Sequence, residues 1–253
     1  MFRNAIVRTP GNSIKDGLTS SDLGKPDYNK AFEQHSKYVG TLVELGLNVK
    51  ILDNDDRFPD STFIEDVALC TPACAVITSP GALSRRGEIQ GIRHALEEYY
   101  DIIEEIKLPG TLEAGDVMKV GDHYYIGISE RTNPEGAGQL ISILTQHGMK
   151  GTTIVLKNML HLKSGISYLE NNNLLAAGEL FHNDEFRGFN RIFVDNDELY
   201  AANSLWVNGT VLIPEGFPKI RKKIEKEGYE TITLDVSEFR KLDGGLSCLS
   251  LRF

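Results

Sequence analysis

The 253-residue sequence predicts an α/β fold in a single domain spanning residues 1–253, and three observations carry that expectation. A short apolar strand, a polar or glycine-containing turn, an amphipathic helix and a second strand recur along the chain as a loose unit. Glycine follows several of the helical patterns, at Gly46, Gly148 and Gly228, where a helix commonly closes with a left-handed residue. No low-complexity linker, long charge run or shift in composition divides the chain. With 41% hydrophobic and 25% charged residues, the chain has apolar material for a sizeable core.

Five units can be traced. The first opens with Ala5 to Val7 in NAIVRTPG and runs through the helical pattern DYNKAFEQHSKYVGTLVELG to the strand NVKILD. The second opens with ACAVITSP and continues into SRRGEIQGIRHALEEYY, where Ile89, Ile92, Leu96 and Tyr100 recur near helical spacing. HYYIGIS, RTNPEGAGQLISILTQHG and TTIVL make the third. The fourth, NNLLAAGEL to RIFVD, has only the weak segment HNDEFRGFN where a helix belongs. TVLIPEGF, PKIRKKIEKEG and YETITLDV make the fifth. Asn208-Gly209, between SLWV and TVLI, has the composition of a two-residue hairpin turn. Asn208-Gly209-Thr210 also fits a glycosylation acceptor, but without a secretory signal the turn is the preferred reading. The periodicity alone is equally that of an ordinary α/β sheet with alternating units.

A formal net charge of -9 disfavours nucleic acid or an anionic membrane as the main partner and suits a cationic small molecule. MFRNAIVRTPG lacks the apolar stretch of a secretory signal, and no run approaches the roughly 18 apolar residues of a membrane helix, so a cytoplasmic protein is expected. Three cysteines do not make a disulfide framework. Cys70 and Cys74, in LCTPACAVI, are expected to be packing residues, because no second Cys or His pair lies at zinc-site spacing.

Residues able to do chemistry fall in five turn-rich segments: FPDSTFIED, SRRGE, LEAGD, LHLKSG and KLDGGLSCLSLRF. Cys248 follows Asp243-Gly244-Gly245 and opens the alternation CLSLRF, where a glycine turn would enter the last strand and leave room for a substrate beside the sulfur. His161 is the candidate base, set apart from His35, His94, His123, His147 and His182 by its neighbours. Glu113 could orient its ring, with Asp116 as competitor. Asp60, Glu65 and Asp66 stand among Phe58, Pro59, Phe63 and Ile64, where acids are costly to bury without charged donors. A planar guanidinium is one such donor, and Arg85 and Arg131 could pair the carboxylate of the same amino acid. The polar segment Gly17 to Asp27 suits a lid. It is not a phosphate loop, since Pro26 follows Gly24-Lys25.

FPDSTFIED, LEAGD with YYIGISERTN, LHLKSG and DGGLSCLSLRF together resemble the dimethylarginine dimethylaminohydrolase family, within the guanidino-modifying superfamily of pentein fold. The similarity runs from RTPGNSIKDGLTSSDLGKPDY to the last residue and looks closest to short bacterial members. It implies a five-bladed α/β propeller of ββαβ-type units around a central site. It implies Cys248 as nucleophile, His161 as proton donor and later base, and Glu113 as the residue orienting His161. Asp60, Glu65 and Asp66 then match acidic substrate contacts, Arg85 and Arg131 the carboxylate end, and Leu18 and Leu242 the loop contacts closing the pocket. The implied reaction converts Nω-methylated arginine to citrulline and an amine, with neither metal nor organic cofactor, in a protein whose relatives often pair as homodimers. Deiminases of the superfamily typically carry an Arg-Asp pair where this chain has Glu65-Asp66, which favours the methylarginine reaction over free arginine. A noncatalytic pentein that binds ribosomes would need no nucleophile, base and orienting acid together, and the acidic balance disfavours it.

Overall fold

A computed structural model describes all 253 residues. The strands form five three-stranded sheets, each built on one plan. In the first unit β1 (Asn4–Arg8) passes through α1 (Tyr28–Glu44) to β2 (Asn48–Leu52), and β1 and β2 pair in parallel. The second sheet holds β3 (Ala68–Cys70), β4 (Ala75–Ile77) and, after α2 (Ile92–Glu97), β5 (Ile103–Glu105). The third holds β6 (Val117–Val120), β7 (His123–Ile128) and, after α3 (Pro134–Gln146), β8 (Lys150–Val155). The fourth holds β9 (Ile166–Tyr168), β10 (Asn173–Ala177) and, after α4 (Gly178–Phe181), β11 (Asn190–Val194). The fifth holds β12 (Leu205–Val207), β13 (Thr210–Pro214) and, after α5 (Pro218–Lys226), β14 (Glu230–Leu234). A short α6 (Ser237–Arg240) precedes β15 (Leu251–Arg252), which returns to β1 and supplies the antiparallel third strand of the first sheet. Each central strand thus has one antiparallel neighbour and one parallel neighbour reached through a helix, as parallel pairing requires.

The burial pattern explains why these sheets stand as blades. Successive side chains of a strand point to opposite faces, so a central strand can serve two neighbours. On β7, Tyr124 and Ile126 join a cluster with Val76 and Cys74 of the second blade, while Tyr125 joins Leu174 and Ala176 of the fourth. On β10, Leu175 and Ala177 turn instead to Val211 and Ile213 of the fifth. Leu212 packs with Ala5 and Val7 of the first, and Ile6 with Ala75 and Ile77 of the second. The five apolar clusters therefore lie at the five junctions between blades, and the ring closes through β15. The fold is a five-bladed α/β propeller.

Local chemistry sets the boundaries. Asp27 caps α1 by accepting the Lys30 N–H at 2.8 Å, and Asn133 caps α3 through the Gly136 N–H at 2.8 Å, with Pro134 at the first helical position. Gly46, Gly148 and Gly228 have φ of 88°, 77° and 92°, as expected after helices. Asn208 and Gly209, at φ 50° and 105°, make the hairpin turn between β12 and β13. Two expectations change. In four blades the recurring unit begins one strand earlier than the periodicity indicates, because the antiparallel strand before the central strand is only three or four residues long, and in the first blade that strand is the two-residue β15 from the other end of the chain. The helix expected across SRRGEIQGIRHALEEYY is α only from Ile92 to Glu97, while Leu83–Gly91 winds as 3-10 turns. There Arg85 and Glu88 turn inward, and Gly87 lies where a Cβ would sit 2.3 Å from the Phe58 ring. The fourth helix is as slight as its sequence indicates, with four residues in α4 and a 3-10 turn at Asp184–Phe186. Cys74 is buried at the junction of the second and third blades, Cys70 packs at that of the first and second, and both are free thiols.

Candidate active site

The chemistry-bearing residues occupy equivalent places in the ring. Short 3-10 turns precede the first strands of the blades: Ile64–Val67 before β3, Ala114–Asp116 before β6, Leu162–Ser164 before β9 and Ser247–Leu249 before β15. These turns carry Glu65 and Asp66, follow Glu113 and His161, and carry Cys248 respectively. Four of the five blades aim such a turn at one cleft and so bring together residues far apart in sequence.

Burial of charge in the cleft is compensated by fixed partners. Asp66 accepts the Gly115 N–H at 3.0 Å on Oδ1 and Arg85 Nη1 at 2.6 Å on Oδ2. Gly115 is required here, since a Cβ would lie 2.6 Å from Asp66 Oδ1 and 2.9 Å from His161 Nδ1. Arg85 is itself buried and also binds Glu88 at 2.9 Å and the Phe63 carbonyl at 3.0 Å. Glu65 is held by Lys163 at 2.6 Å, Arg252 at 3.1 Å and the Ser247 hydroxyl at 2.8 Å. Asp60 accepts only the Leu18 N–H, at 3.0 Å, and burial raises its pKa.

His161 donates from Nε2 to Glu113 Oε2 at 2.9 Å. An ionised carboxylate only accepts, so this contact places a hydrogen on Nε2 and leaves Nδ1, facing Gly115, for proton transfer. Asp116 does not compete for the ring. It accepts the Leu162 N–H at 2.9 Å and the Ser129 hydroxyl at 2.7 Å, and so fixes the backbone that follows His161. Burial alone would depress the imidazolium, but Asp66, the bond to Glu113 and Asp116 outweigh it and raise its pKa to about 9. Burial opposes ionisation of Glu113 too, yet the bond to His161 and its charge bring that carboxyl to about 2. The imidazolium contribution to stability is therefore whole below the ordinary 6.5 and is lost as pH rises through about 9.

The Cys248 sulfur accepts the Gly245 N–H at 3.4 Å. Burial, then Glu65 and Asp66, push its thiol up to about 12. Two adjoining chambers share His161, Asp243 and Cys248. One is lined by Leu18, Asp60, Asp66, Arg85, Glu113, Arg131 and Leu242, the other by Glu65, Lys163, Ser164, Tyr200 and Asn203. The residues expected from the sequence to act on or contact the substrate all line this cleft, whereas Asp116 does not, and they are not in equal readiness. Arg131 approaches Glu113 at 3.9 Å and is otherwise open, whereas most donors of Arg85 are occupied. Leu18 stands 40% exposed at the mouth above the buried Leu242. The loop expected to be a lid is tied across it, with Ser20 donating from backbone and hydroxyl to Asp243 at 2.6 and 2.9 Å. Asp243, Lys163, Tyr200 and Asn203 are lining residues that the sequence reading did not select, although Asp243 and Lys163 lie inside its segments.

Asp66, Glu113 and His161 bring one donor atom each within 4.8 Å of the others, but the Arg85 and His161 bonds already engage these carboxylates as an acid-base array. A thiol this hard to ionise should alkylate slowly in the empty protein. Iodoacetamide labelling of Cys248 is expected to accelerate roughly tenfold per pH unit through pH 10, whereas an ordinary thiol of pKa about 8.5 levels off near pH 9. A plateau by pH 9 would contradict the assigned environment.

A five-bladed ring whose axial cleft joins a cysteine, an imidazole held by a carboxylate and further buried acids defines a pentein of the guanidino-modifying class. The arginine deiminase family model matches residues 92–197. The chain is 54% identical to N(G),N(G)-dimethylarginine dimethylaminohydrolase of Pseudomonas aeruginosa over 100% of both proteins, and 33% identical to that of Streptomyces coelicolor over 99% of this chain and 96% of the other. A cysteine-to-serine variant of the Pseudomonas aeruginosa enzyme, solved with citrulline, superposes with a TM-score of 0.99 at 54% identity over the whole of each chain. The N-terminal domain of ArgZ shares the fold, with a TM-score of 0.89 at 19% identity over 98% of this chain and 97% of that one. The chain belongs to the dimethylarginine dimethylaminohydrolase family.

Proposed function

We propose that the chain, acting as one catalytic domain, hydrolyses Nω-methylated arginine to citrulline and methylamine or dimethylamine through a thiouronium formed on Cys248. The observation that carries this reading is the Glu113–His161 pair at 2.9 Å, opening onto the same cleft as Cys248, Asp60 and Asp66. The complex of the Pseudomonas aeruginosa relative with citrulline supports it. So does the net charge of -9, which draws in a cation.

Each residue has a part set by its surroundings. The guanidinium enters beside Asp60 and Asp66, and its charge offsets the acids that hold Cys248 protonated, so the thiolate forms when substrate is present. Sulfur attacks the guanidinium carbon, the bond to the methylated nitrogen breaks, and His161 Nδ1 gives its proton to the departing amine. Neutral His161 then takes a proton from water, whose oxygen attacks the thiouronium carbon. Carbon and sulfur part, the electron pair stays on sulfur, and citrulline forms. Arg131, and the remaining N–H of Arg85, meet the substrate carboxylate, while Leu18 and Leu242 close the mouth.

The test is release of citrulline from asymmetric dimethylarginine, monomethylarginine, arginine and agmatine. The methylated substrates should be turned over fastest, and agmatine, without a carboxylate, slowest. Because a methyl group changes pocket binding by only about 1–3 kcal/mol, the margin over arginine is set by transition-state contacts as well as fit. A preference for agmatine would refute the roles of Arg85 and Arg131, and a preference for arginine would make the chain a deiminase.

A further inference from the structure

We propose that Lys163 governs hydrolysis of the covalent intermediate rather than its formation, by ordering water in the chamber beside Cys248 and supplying the positive charge against which the sulfur departs. This rests on the covalent reading above. Lys163 lies two residues after His161, in the 3-10 turn Leu162–Ser164, with its side chain 15% exposed. Its Nζ is 2.6 Å from Glu65 Oε1, which also binds Arg252 at 3.1 Å. At the sulfur Glu65 and Asp66 act against the thiolate, and Lys163 is the side-chain cation that opposes them. The contact with Glu65 is a charge pair, and the ammonium, a donor of three N–H groups, also lines the chamber.

Water fits this chamber: its walls include the polar groups of His161, Ser164 and Asn203, and its volume of about 40 Å³, the same as that of the chamber assigned to the substrate, exceeds the roughly 10–15 Å³ that one water needs. Asn203 also ties the two reacting turns together, donating to the Lys163 carbonyl at 3.0 Å and the Ser247 hydroxyl at 3.0 Å. The substrate body belongs to the other chamber, with Asp60, Asp66 and Arg131. Water can therefore reach the carbon from the Lys163 side while the amino-acid chain stays in place.

The two half-reactions differ in what stabilises the sulfur anion. In the first, the cationic guanidinium lies against it. In the second, water adds to the thiouronium carbon, one of its protons passes to His161 and the carbon–sulfur bond breaks, with the pair kept by Cys248 and the second water proton finally restoring the thiol. The product is a neutral ureido group, so the substrate cation that lay beside Asp60 and Asp66 has gone. The Lys163 ammonium remains, and its charge favours the sulfur anion.

The experiment is single turnover of asymmetric dimethylarginine with enzyme in excess, quenched in acid, following dimethylamine, citrulline and the mass of the Cys248 peptide. In Lys163→Met, where Arg252 and Ser247 still hold Glu65, dimethylamine should form within about threefold of wild type while citrulline slows roughly tenfold or more and the adduct accumulates. Lys163→Arg should return citrulline formation to within about threefold. Equal slowing of both products, or slowing of neither, overturns the assignment. A wild-type protein that releases amine with no adduct on Cys248 overturns the covalent reading, and this proposal with it.

Discussion

Cys248→Ser is expected to abolish citrulline formation, with a loss of roughly 10⁴-fold or more, the scale on which removal of a nucleophile acts. A serine hydroxyl can take over the acceptor role toward the Gly245 N–H, so the turn before β15 should keep its shape and thermal unfolding should stay close to wild type. It cannot take over the chemistry. A guanidinium cation helps ionise a thiol, even one pushed up to about 12, but an alcohol starts far further from ionisation. Retention of turnover in a folded Ser variant would remove Cys248 from the reaction.

His161→Gly should lower the rate of amine formation by roughly 10² to 10⁴, the usual worth of a positioned acid. Leaving a dialkylamine anion without a proton is prohibitive, and in the proposed mechanism the donor is Nδ1 of His161, whose ring is bonded to Glu113. The same change strips Glu113 of the bond and charge that bring its carboxyl to about 2, so its pKa should rise. The KM for asymmetric dimethylarginine should move much less than kcat, because Asp60, Asp66 and Arg131 remain. An effect on KM alone would mean that His161 only shapes the pocket.

Much of this cleft could be read from the sequence because its parts are local signatures. DGG before Cys248, LEAGD and FPDSTFIED each combine a turn with a reactive group, and the structure gives the physical reasons. Gly115 lets Asp66 and His161 close on one another, and Gly245 passes so near Asn203 that a Cβ would lie 2.6 Å from its side chain. The central strands were legible from their apolar runs, such as NLLAA of β10, which is buried throughout. Their antiparallel partners were not, being as short as the three residues of β3 and β9, too few to show alternation. That omission hid the common placement of the reactive turns before the first strands of the blades. Lys163, Arg252 and Ser247 were missed for another reason. Their importance comes from meeting at Glu65, across separations of 98, 187 and 182 residues, and no local pattern announces such a meeting. For the same reason Glu65 is expected from the sequence as an acidic substrate contact, whereas in the structure Lys163 and Arg252 lie on its carboxylate.

Rapid acid quench of the wild-type protein turning over asymmetric dimethylarginine, followed by mass spectrometry of its peptides, tests the covalent reaction most directly. A mass increase confined to the peptide containing Cys248 is expected, appearing with dimethylamine and disappearing as citrulline forms. Steady turnover with Cys248 unmodified at every quench time, including in Lys163→Met, would contradict it.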